Sequence, residues 1–583
     1  MRVQTDKPGL TEPAPPNAAE QDGPQPDASL PGAPQPDAPR QGAPRQPGPV
    51  LAPGIARGAL LIAGLSALSR MLGLVRTLVF SQSVGAGCLG TAYVTANQVP
   101  NLIYELALGG ALTSAMVPIL ARSAGRAATD PQEKARVANI TSALLTWAVV
   151  ILVPLMGIIA ALAGPIASLL IPANPNAACA RADMVGVTSN MLVVFAPQIL
   201  LYGLSVVLFG LLQAYRRFTG PTLAPVIANV VLISAYMAFV PLDKGLPLAS
   251  TPLAAELVLS IGTTMNIGTL VIVALPPTWR LHLRLRPTLR FPPGVMRLAG
   301  GLALVGVLEF LASDLYQVVT ISLANGHGKT GALVLVNYVS MVFNSVAAVL
   351  ALSIVTSAFP VLSATDGDAF DRTCAGSTRA VILMSWLGTA VIAAVSVSAA
   401  HVLAKQPDQV SQLIQGFLLV APGLAGFAVV TNASRVMFAL GRLRVAAAGL
   451  VAGQLLQIVI SVPLVELLPP QWTVGAIALG SSIAQLAVAV PMVIATRRIR
   501  GEAAVRGAGR ATLVSLAAGV TGGTFGAAVT LLIPPSGKLT DAASGALAAA
   551  VAIVAFGVVA YAFDKGDLKT AVQRIPGVRR LRG

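Results

Sequence analysis

Six ionisable side chains stand inside long apolar runs: Arg70, Arg76, Glu105, Glu309, Asp314 and Arg435. At the centre of a membrane helix such a group costs about 2.5–3.5 kcal/mol on insertion scales, so each is a candidate for function. Arg435 lies little more than a turn from the end of its run. Its long stem can carry the charge to the interface, and it is read as structural. Arg70 and Arg76 lie about 9 Å apart along a helix and about 120° around it, which makes them neighbours on one broad face. Glu105 falls near mid-depth on the next run. Glu309 lies at a similar depth in a later one, with Asp314 about 7.5 Å further along and about 140° round. Two arginines and two or three carboxylates then share a narrow layer. Internal salt bridging that helps a bundle assemble is one reading, with Glu105 reaching Arg70. The sharper reading is a hydrated cavity in which arginine grips an anionic group and the carboxylates balance it or couple to it. The planar guanidinium fork binds phosphate bidentately and keeps its charge in a low dielectric.

The elements that must position these groups are membrane helices. The chain has 583 residues, 55% of them hydrophobic and 11% charged, with a mean hydropathy of +0.76. Soluble proteins carry about 25% charged residues, so a string of soluble domains is excluded. Apolar runs recur from Gly58 to Phe563, each long enough to cross a hydrocarbon core of about 30 Å. The pattern predicts an all-α polytopic membrane protein. Its fourteen spans fall near 57–84, 88–121, 137–163, 185–215, 219–241, 253–275, 295–324, 332–363, 379–404, 411–440, 445–468, 473–496, 510–533 and 541–563. Pro100, Gly109, Gly110, Pro197, Pro422 and Gly423 mark places where helices lining a cavity can bend.

Loop charge sets the orientation. With the C-terminal tail, one set of loops carries 26 Lys and Arg and the opposite set carries five: Arg181, Lys244, Lys329, Lys405 and Lys538. The positive-inside rule places both termini in the cytoplasm of a plasma membrane. It also absorbs most of the net charge of +16, so no nucleic-acid partner is needed. Anionic lipid at the membrane surface suffices.

Residues 1–53 differ in kind. Thirteen of the 42 prolines fall in the first 50 positions, and Pro24–Ala28 repeats as Pro34–Ala38. Such a segment buries too little apolar surface to offset its chain entropy and reads as a disordered cytoplasmic tail. Two echoes suggest an internal repeat. Leu112–Leu120 resembles Val355–Leu362, and Phe195-Ala196-Pro197 resembles Val420-Ala421-Pro422. Both pairs are offset by six spans, which implies parallel halves. The expected division is an N-lobe over 54–290, a C-lobe over 291–500, two further helices over 501–565 and a basic tail over 566–583. The three Cys and three His are scattered, which rules out a metal cluster, and Cys88 and Cys179 are expected to be reduced and unrelated. No nucleophile triad or phosphate loop is visible, so a membrane enzyme is the weakest class.

At Ser69–Phe80, Gly85–Gly87 and Val99–Leu120 the sequence resembles the MurJ/MviN lipid II flippases, within the multidrug, oligosaccharidyl-lipid and polysaccharide exporter superfamily. Phe359–Ser363 is similar to the close of that family's eighth helix. The resemblance implies a central cavity lined by the first, second, seventh and eighth spans, and a groove for the lipid tail in the last two. It implies an undecaprenyl-pyrophosphate-linked glycan as cargo, bound by Arg70, Arg76, Asn101, Tyr104 and Glu105. It also implies a seventh-span acid, Glu309 or Asp314, coupled to Na⁺ or protons, with Glu309 favoured as the cavity residue and no organic cofactor. Where many members carry a basic pair this chain has Tyr104 and Glu105. Thr91 replaces a common acid, and Ser340 and Met341 replace an Asp-Arg pair. The rival expectations are an exporter of another lipid-linked glycan or a drug, and a scaffold that recruits cell-wall synthesis proteins through the N-terminal tail.

Overall fold

The computed structural model describes residues 53–105, 126, 130–243, 248–290, 295–533 and 536–563. Among these residues the regular structure is helical and contains no strand. This is what hydrocarbon demands: with no water to bond, each backbone group must be satisfied within its own helix. The helices are α1 (Pro53–Ser83), α2 (Cys88–Tyr104), α3 (Pro131–Ala161), α4 (Ala163–Leu170), α5 (Arg181–Phe195) and α6 (Pro197–Ala214). They continue as α7 (Thr219–Phe239), α8 (Leu253–Trp279), α9 (Val295–His327), α10 (Ala332–Leu350), α11 (Leu352–Ala364) and α12 (Gly367–Leu403). The remainder are α13 (Pro407–Val420), α14 (Gly423–Ala439), α15 (Leu443–Leu467), α16 (Thr473–Arg500), α17 (Ala508–Leu532) and α18 (Lys538–Phe563).

Eleven stretches are long and apolar enough to cross a membrane, and the pair α13 and α14 makes a twelfth span, bent by 40°. These twelve coincide with the third to fourteenth expected spans. The first two correspond to α1 and α2, and the continuation of the second through 106–121 lies outside the described residues, as do Gly109, Gly110 and the Leu112–Leu120 copy of the repeat. The other copy, Val355–Leu362, lies in α11.

The second echo has a structural counterpart. The fourth span breaks between α5 and α6 at Ala196, and the tenth breaks between α13 and α14 at Ala421 and Pro422. A proline has no N–H to donate and its ring crowds the carbonyl four residues back, so both spans break at the same Ala-Pro step. The eighth expected span is also two helices, divided at Ala351. Pro100, by contrast, sits inside α2 without ending it, and Glu105 follows in a wide π-turn.

Small residues let helices approach where there are few polar groups to join them. Gly519 of α17 faces Trp386 of α12, and a Cβ at Gly522 would come 2.8 Å from the Ala552 carbonyl of α18. Dispersion between close backbones, more than any hydrophobic drive, holds helices together in lipid. At the arginine-rich end, Arg500 of α16 donates from Nε to Asp371 Oδ1 at 2.9 Å and lies over the Phe370 ring at 4.8 Å. Arg435 stacks on Phe359 and Phe438 at 5.5 and 6.0 Å, in keeping with its structural reading.

One expectation is overturned here. Cys88 and Cys179 are joined by a disulfide with Cα atoms 6.2 Å apart, which ties the start of α2 to the segment before α5. Residues 91 positions apart carry no spacing signal, and only the folded loop brings them together. Cys374 is free and buried. Maleimide should therefore label the native protein weakly, and label two further cysteines after reduction and denaturation in a Cys374→Ser background. Replacing Cys88 and Cys179 with Ser should cost about 2–4 kcal/mol, seen as a lower Tm. Full labelling before reduction would disprove the bond.

Candidate functional site

A cavity of about 350 Å³ lies between α1, α2, α6, α7, α8 and α10. Helical periodicity builds its main wall: Tyr93, Asn97 and Asn101 recur every fourth residue on α2, and Val94 and Gln98 fill the adjacent row. Arg76 enters from α1 and is the one charged residue among those lining the space. Facing it are Tyr202 of α6, Tyr236 of α7, Asn266 of α8 and Asn337 of α10. The buried hydroxyls are ordered. The Tyr93 hydroxyl lies 2.9 Å from that of Tyr236 and 2.8 Å from that of Thr263, and the Tyr202 hydroxyl donates to Asn101 Oδ1 at 2.8 Å. Phe80 packs against the Tyr93 and Tyr236 rings at 5.5 and 5.2 Å.

A second space of about 280 Å³ lies on the far side of one hydrogen bond, from Gln98 Nε2 to Asn337 Oδ1 at 3.0 Å. Tyr316, Gln317 and Thr320 of α9, Asn344 of α10 and Ser481 of α16 line it, with no charged side chain. Gln98, Asn337 and Met341 border both spaces. Met341 also borders a mostly apolar groove of about 330 Å³, lined by Leu74 and Leu78 of α1, Val395 and Val402 of α12 and Ala546 and Ala549 of α18, with Asp541 of α18 its one charged lining residue. Of the last two helices, only α18 lines this groove. A cationic polar chamber, a neutral polar chamber and an apolar groove thus meet at Met341. That arrangement can take an anion, a hydroxyl-rich neutral group and a hydrocarbon chain side by side.

The structure brings some expected site residues together and parts others. Arg76 and Asn101 line the cavity, and Tyr104 stacks on Tyr202 with ring centroids 4.4 Å apart. Arg70 is exposed and lines none of these spaces. The expected ion pair between Arg70 and Glu105 is not formed among the described residues. Six residues of helix leave the two arginines about 120° apart, enough to put one inside and the other outside. Glu105 is half-buried at the end of α2. Glu309, favoured as the cavity residue, lines neither chamber and faces the charge of Arg435. Asp314 also lies outside both chambers, but its Oδ1 is buried without a hydrogen-bond partner and senses the charge of Glu105. Gln317, three residues beyond Asp314 on α9, lines the neutral chamber. Among the described residues no group of three His, Cys, Asp or Glu side chains could hold a metal ion. The amides at Asn97, Gln98, Asn266 and Asn337 escaped the sequence reading. Their signal was present in the polar side chains repeating every three or four residues of α2 within an apolar run.

On the arginine-poor face, helices up to α8 are bonded to those from α9 onward. Lys405, before α13, donates from Nζ to the Ser83 carbonyl at 2.7 Å. Gln82 donates to the Val402 carbonyl at 2.9 Å, and Gln409 to the Ala86 carbonyl at 3.1 Å. Asn174 donates to the carbonyls of Asn325 and Gly328 at 2.7 and 2.8 Å. These bonds satisfy carbonyls left over at helix ends. Gly85 belongs to this latch: its φ is +72°, and a Cβ there would come 2.9 Å from Lys405 Cδ. Burial lowers the Lys405 pKa, partly offset by the charge of Asp243.

Residues 80–561 match the family described as "Lipid II flippase MurJ". A lipid II flippase MurJ of Burkholderia cenocepacia is 24% identical over 319 residues, covering 54% of this chain and 58% of that protein. The chain thus spans less than two thirds of that relative. A probable lipid II flippase MurJ of Haemophilus influenzae is 44% identical over 54 residues, 9% of this chain and 11% of that one. Among solved structures, a lipid II flippase MurJ in an inward closed conformation matches with a TM-score of 0.67 at 15% identity, over 86% of this chain and 99% of that one. An inward-facing multidrug transporter of the MATE family matches with a TM-score of 0.59 at 14% identity, over 76% of this chain and 98% of that one. The fold is that of these transporters.

The latch is testable. With Cys374 buried and the other two cysteines bonded, a cysteine placed at Asn97 reports access to the cavity. Lys405→Met should raise its labelling by an impermeant maleimide added from the arginine-poor side about tenfold, since a charge-assisted bond contributes about 1.5–3 kcal/mol. Unchanged labelling would remove Lys405 from the closure.

Proposed function

This chain belongs to the lipid II flippase MurJ family, and on that premise we propose that it moves a lipid-linked peptidoglycan precursor across the bacterial plasma membrane. The cargo is an undecaprenyl-pyrophosphate-linked glycan, carried from the inner to the outer leaflet by alternating access. The observation that carries the reading is Arg76, the single cation in a cavity of amides and tyrosines next to an apolar groove. The guanidinium takes one phosphate edge bidentately, and neighbouring amides and hydroxyls donate to the remaining oxygens. The sugar's hydroxyls and acetamido groups occupy the neutral chamber beyond Gln98 and Asn337. The polyprenyl tail stays in the groove against α18, which spares it from water. Arg70, exposed on α1, meets the cargo only on its way in.

The charge difference between the two faces supports cytoplasmic termini, with the latched face outward. Loading then occurs from the arginine-rich side while Lys405 and Gln409 hold the other side shut. We assign cation coupling to Asp314 rather than Glu309. A buried carboxylate oxygen with no donor is poised for Na⁺ or a proton, whereas Glu309 feels the opposite charge of Arg435. The N-terminal tail offers cell-wall synthesis proteins a docking segment outside the transport path.

In a strain depleted of its own flippase, Arg76→Ala should fail to complement, and precursor binding should fall at least tenfold, as expected when a charged bond of about 1.5–3 kcal/mol is lost. Arg76→Lys should recover part of this, because it keeps the charge and loses the fork. Full complementation by Arg76→Ala would sink the proposal. Transport of a different lipid-linked glycan, with lipid II left behind, would reassign the cargo and leave the fold of the site intact.

Coupling is tested by imposing Na⁺ and proton gradients on proteoliposomes. Asp314→Asn should abolish the gradient dependence and Glu309→Gln should keep it. If the dependence survives Asp314→Asn, the seventh span carries no coupling ion.

A further inference from the structure

The segment after α8 reads Arg280-Leu-His-Leu-Arg-Leu-Arg286, then Pro287-Thr-Leu-Arg290, and strict alternation of this kind separates the two faces of an extended chain. It follows α8 through a turn at His282, whose φ is +50°. Leu281 is buried and Leu283 half-buried against Leu208, Leu211 and Ala274, while Arg280, His282, Arg284, Arg286 and Arg290 are exposed. The backbone is fixed along α3 by three hydrogen bonds. The Arg286 amide donates to Ser142 Oγ at 3.0 Å, the Thr288 amide donates to Thr146 Oγ1 at 3.1 Å, and Trp147 Nε1 donates to the Leu289 carbonyl at 3.1 Å. An extended strand has edge amides and carbonyls that need partners, and here the side chains of α3 supply them.

The height of this ribbon follows from the apolar surface above it. Large apolar side chains on the outside of α3 and α4 begin at Trp147 and continue through Val150, Ile151, Ile158 and Leu162 to Leu169. On α3 that band rises about 17 Å from Trp147 to Ile158, and it continues over the separate helix α4. Below Trp147 the outside of α3 is covered by the ribbon instead. The ribbon therefore lies where the hydrocarbon ends, with Trp147 and the exposed Trp279 at the level indoles prefer. Leu285 and Leu289, 39% and 51% exposed, point into the same boundary.

No acid interrupts residues 280–290. The acids of the neighbouring helix, Asp130 and Glu133, lie at the foot of α3, about 14–18 Å along its axis from Ser142, where Arg286 is held, and further from Arg290, which exceeds a Debye length of about 8 Å. The guanidinium groups of Arg284, Arg286 and Arg290 make no hydrogen bond or ion pair among the described residues. A cluster that faced only water would need neither the fixed backbone nor the exposed leucines at its side.

We propose that residues 280–290 are a docking ribbon for the headgroups of anionic phospholipids in the leaflet beside the arginine-rich face. The arginines meet the phosphates, and Leu285, Leu289 and Trp147 enter the upper acyl region. Three or four guanidinium groups on one rigid strand hold several headgroups at once. This favours lipids of net negative charge over zwitterionic ones, which carry an ammonium beside the phosphate. The inference is independent of the cargo, because the ribbon borders none of the chambers described above.

The test uses the full-length protein in nanodiscs of phosphatidylcholine containing a minor fraction of spin-labelled phosphatidylglycerol. Wild type should immobilise the labelled lipid, and added salt should weaken the effect. The triple variant Arg284→Gln, Arg286→Gln, Arg290→Gln should weaken binding of the labelled lipid by roughly a hundredfold and so lose the immobilised fraction, as expected for three surface charges. The triple Lys variant should keep most of it, since a point charge suffices for a headgroup. A control triple on other loops of the same face, Arg442→Gln, Arg444→Gln, Arg498→Gln, should lose little. Equal loss in the control triple and the ribbon triple would show general charge attraction and overturn the site. So would retention by the ribbon Gln triple, or a loss by the Lys triple as large as that with Gln.

Discussion

A charge held within the thickness of a membrane must be solvated by the protein itself, and most of this molecule can be read as the consequence for Arg76. Water solvates a guanidinium with mobile dipoles; here the dipoles are the fixed amides of Asn97, Asn101 and Asn266 and the hydroxyls of Tyr93, Tyr202 and Tyr236, drawn from four helices. The field of Arg76 reaches all three tyrosines. None of them can be moved alone, because Tyr93 shares its hydroxyl with Tyr236 and Thr263, and Tyr202 is tied to Asn101. A polar network of this kind, once satisfied, fixes one arrangement of the helices around it.

The same economy of polar contacts governs how the two sets of helices meet. In lipid no hydrophobic drive forces helices together, so close packing of small residues and directional hydrogen bonds decide the contacts. Between α12, α17 and α18 the small residues do this. Across the arginine-poor face the contacts are instead side chains bonded to carbonyls: Lys405 to Ser83, Gln82 to Val402, Gln409 to Ala86. Each is worth roughly 0.5–3 kcal/mol net, and each has water as an alternative partner once exposed. A closure built from a few such bonds is firm as a set and can still be opened one bond at a time. Extensive apolar interlocking would hold the two sets in one position.

How far the sequence foretold this depends on the range of each signal. Helices and their breaks follow from local rules, so the Ala-Pro steps at 196–197 and 421–422 could be read directly. Arg76 was legible because a charge in an apolar run is conspicuous. Arg70 was equally conspicuous and equally placed in sequence, yet it is exposed; six residues of helix bring two side chains near each other without making them face the same way. The pairing of Arg70 with Glu105 failed for the same reason, since depth was known and azimuth was not. Cys88 and Cys179 are joined by a loop closure that no spacing rule describes. The amides of the cavity are neutral, and a neutral polar residue in an apolar helix is too common to single out until its partners are visible.

The two acids near the seam have a consequence for energetics. Glu105 ends α2 in a π-turn and Asp314 belongs to α9, so the repulsion between them acts across the two sets of helices. Two carboxylates in a medium of low dielectric repel strongly while both are ionised, and neutralising either removes most of that term. A cation or proton at Asp314 would therefore favour approach of the two sets near Glu105, and its departure would favour separation. An anion held by Arg76 adds negative charge on the Glu105 side and raises the same repulsion. Occupancy of the anion site and occupancy of the acid are then linked through a single electrostatic term, and any linkage between binding events is reciprocal. A cargo anion and a neutralising cation would then each make the other's binding more favourable, with no contact between them.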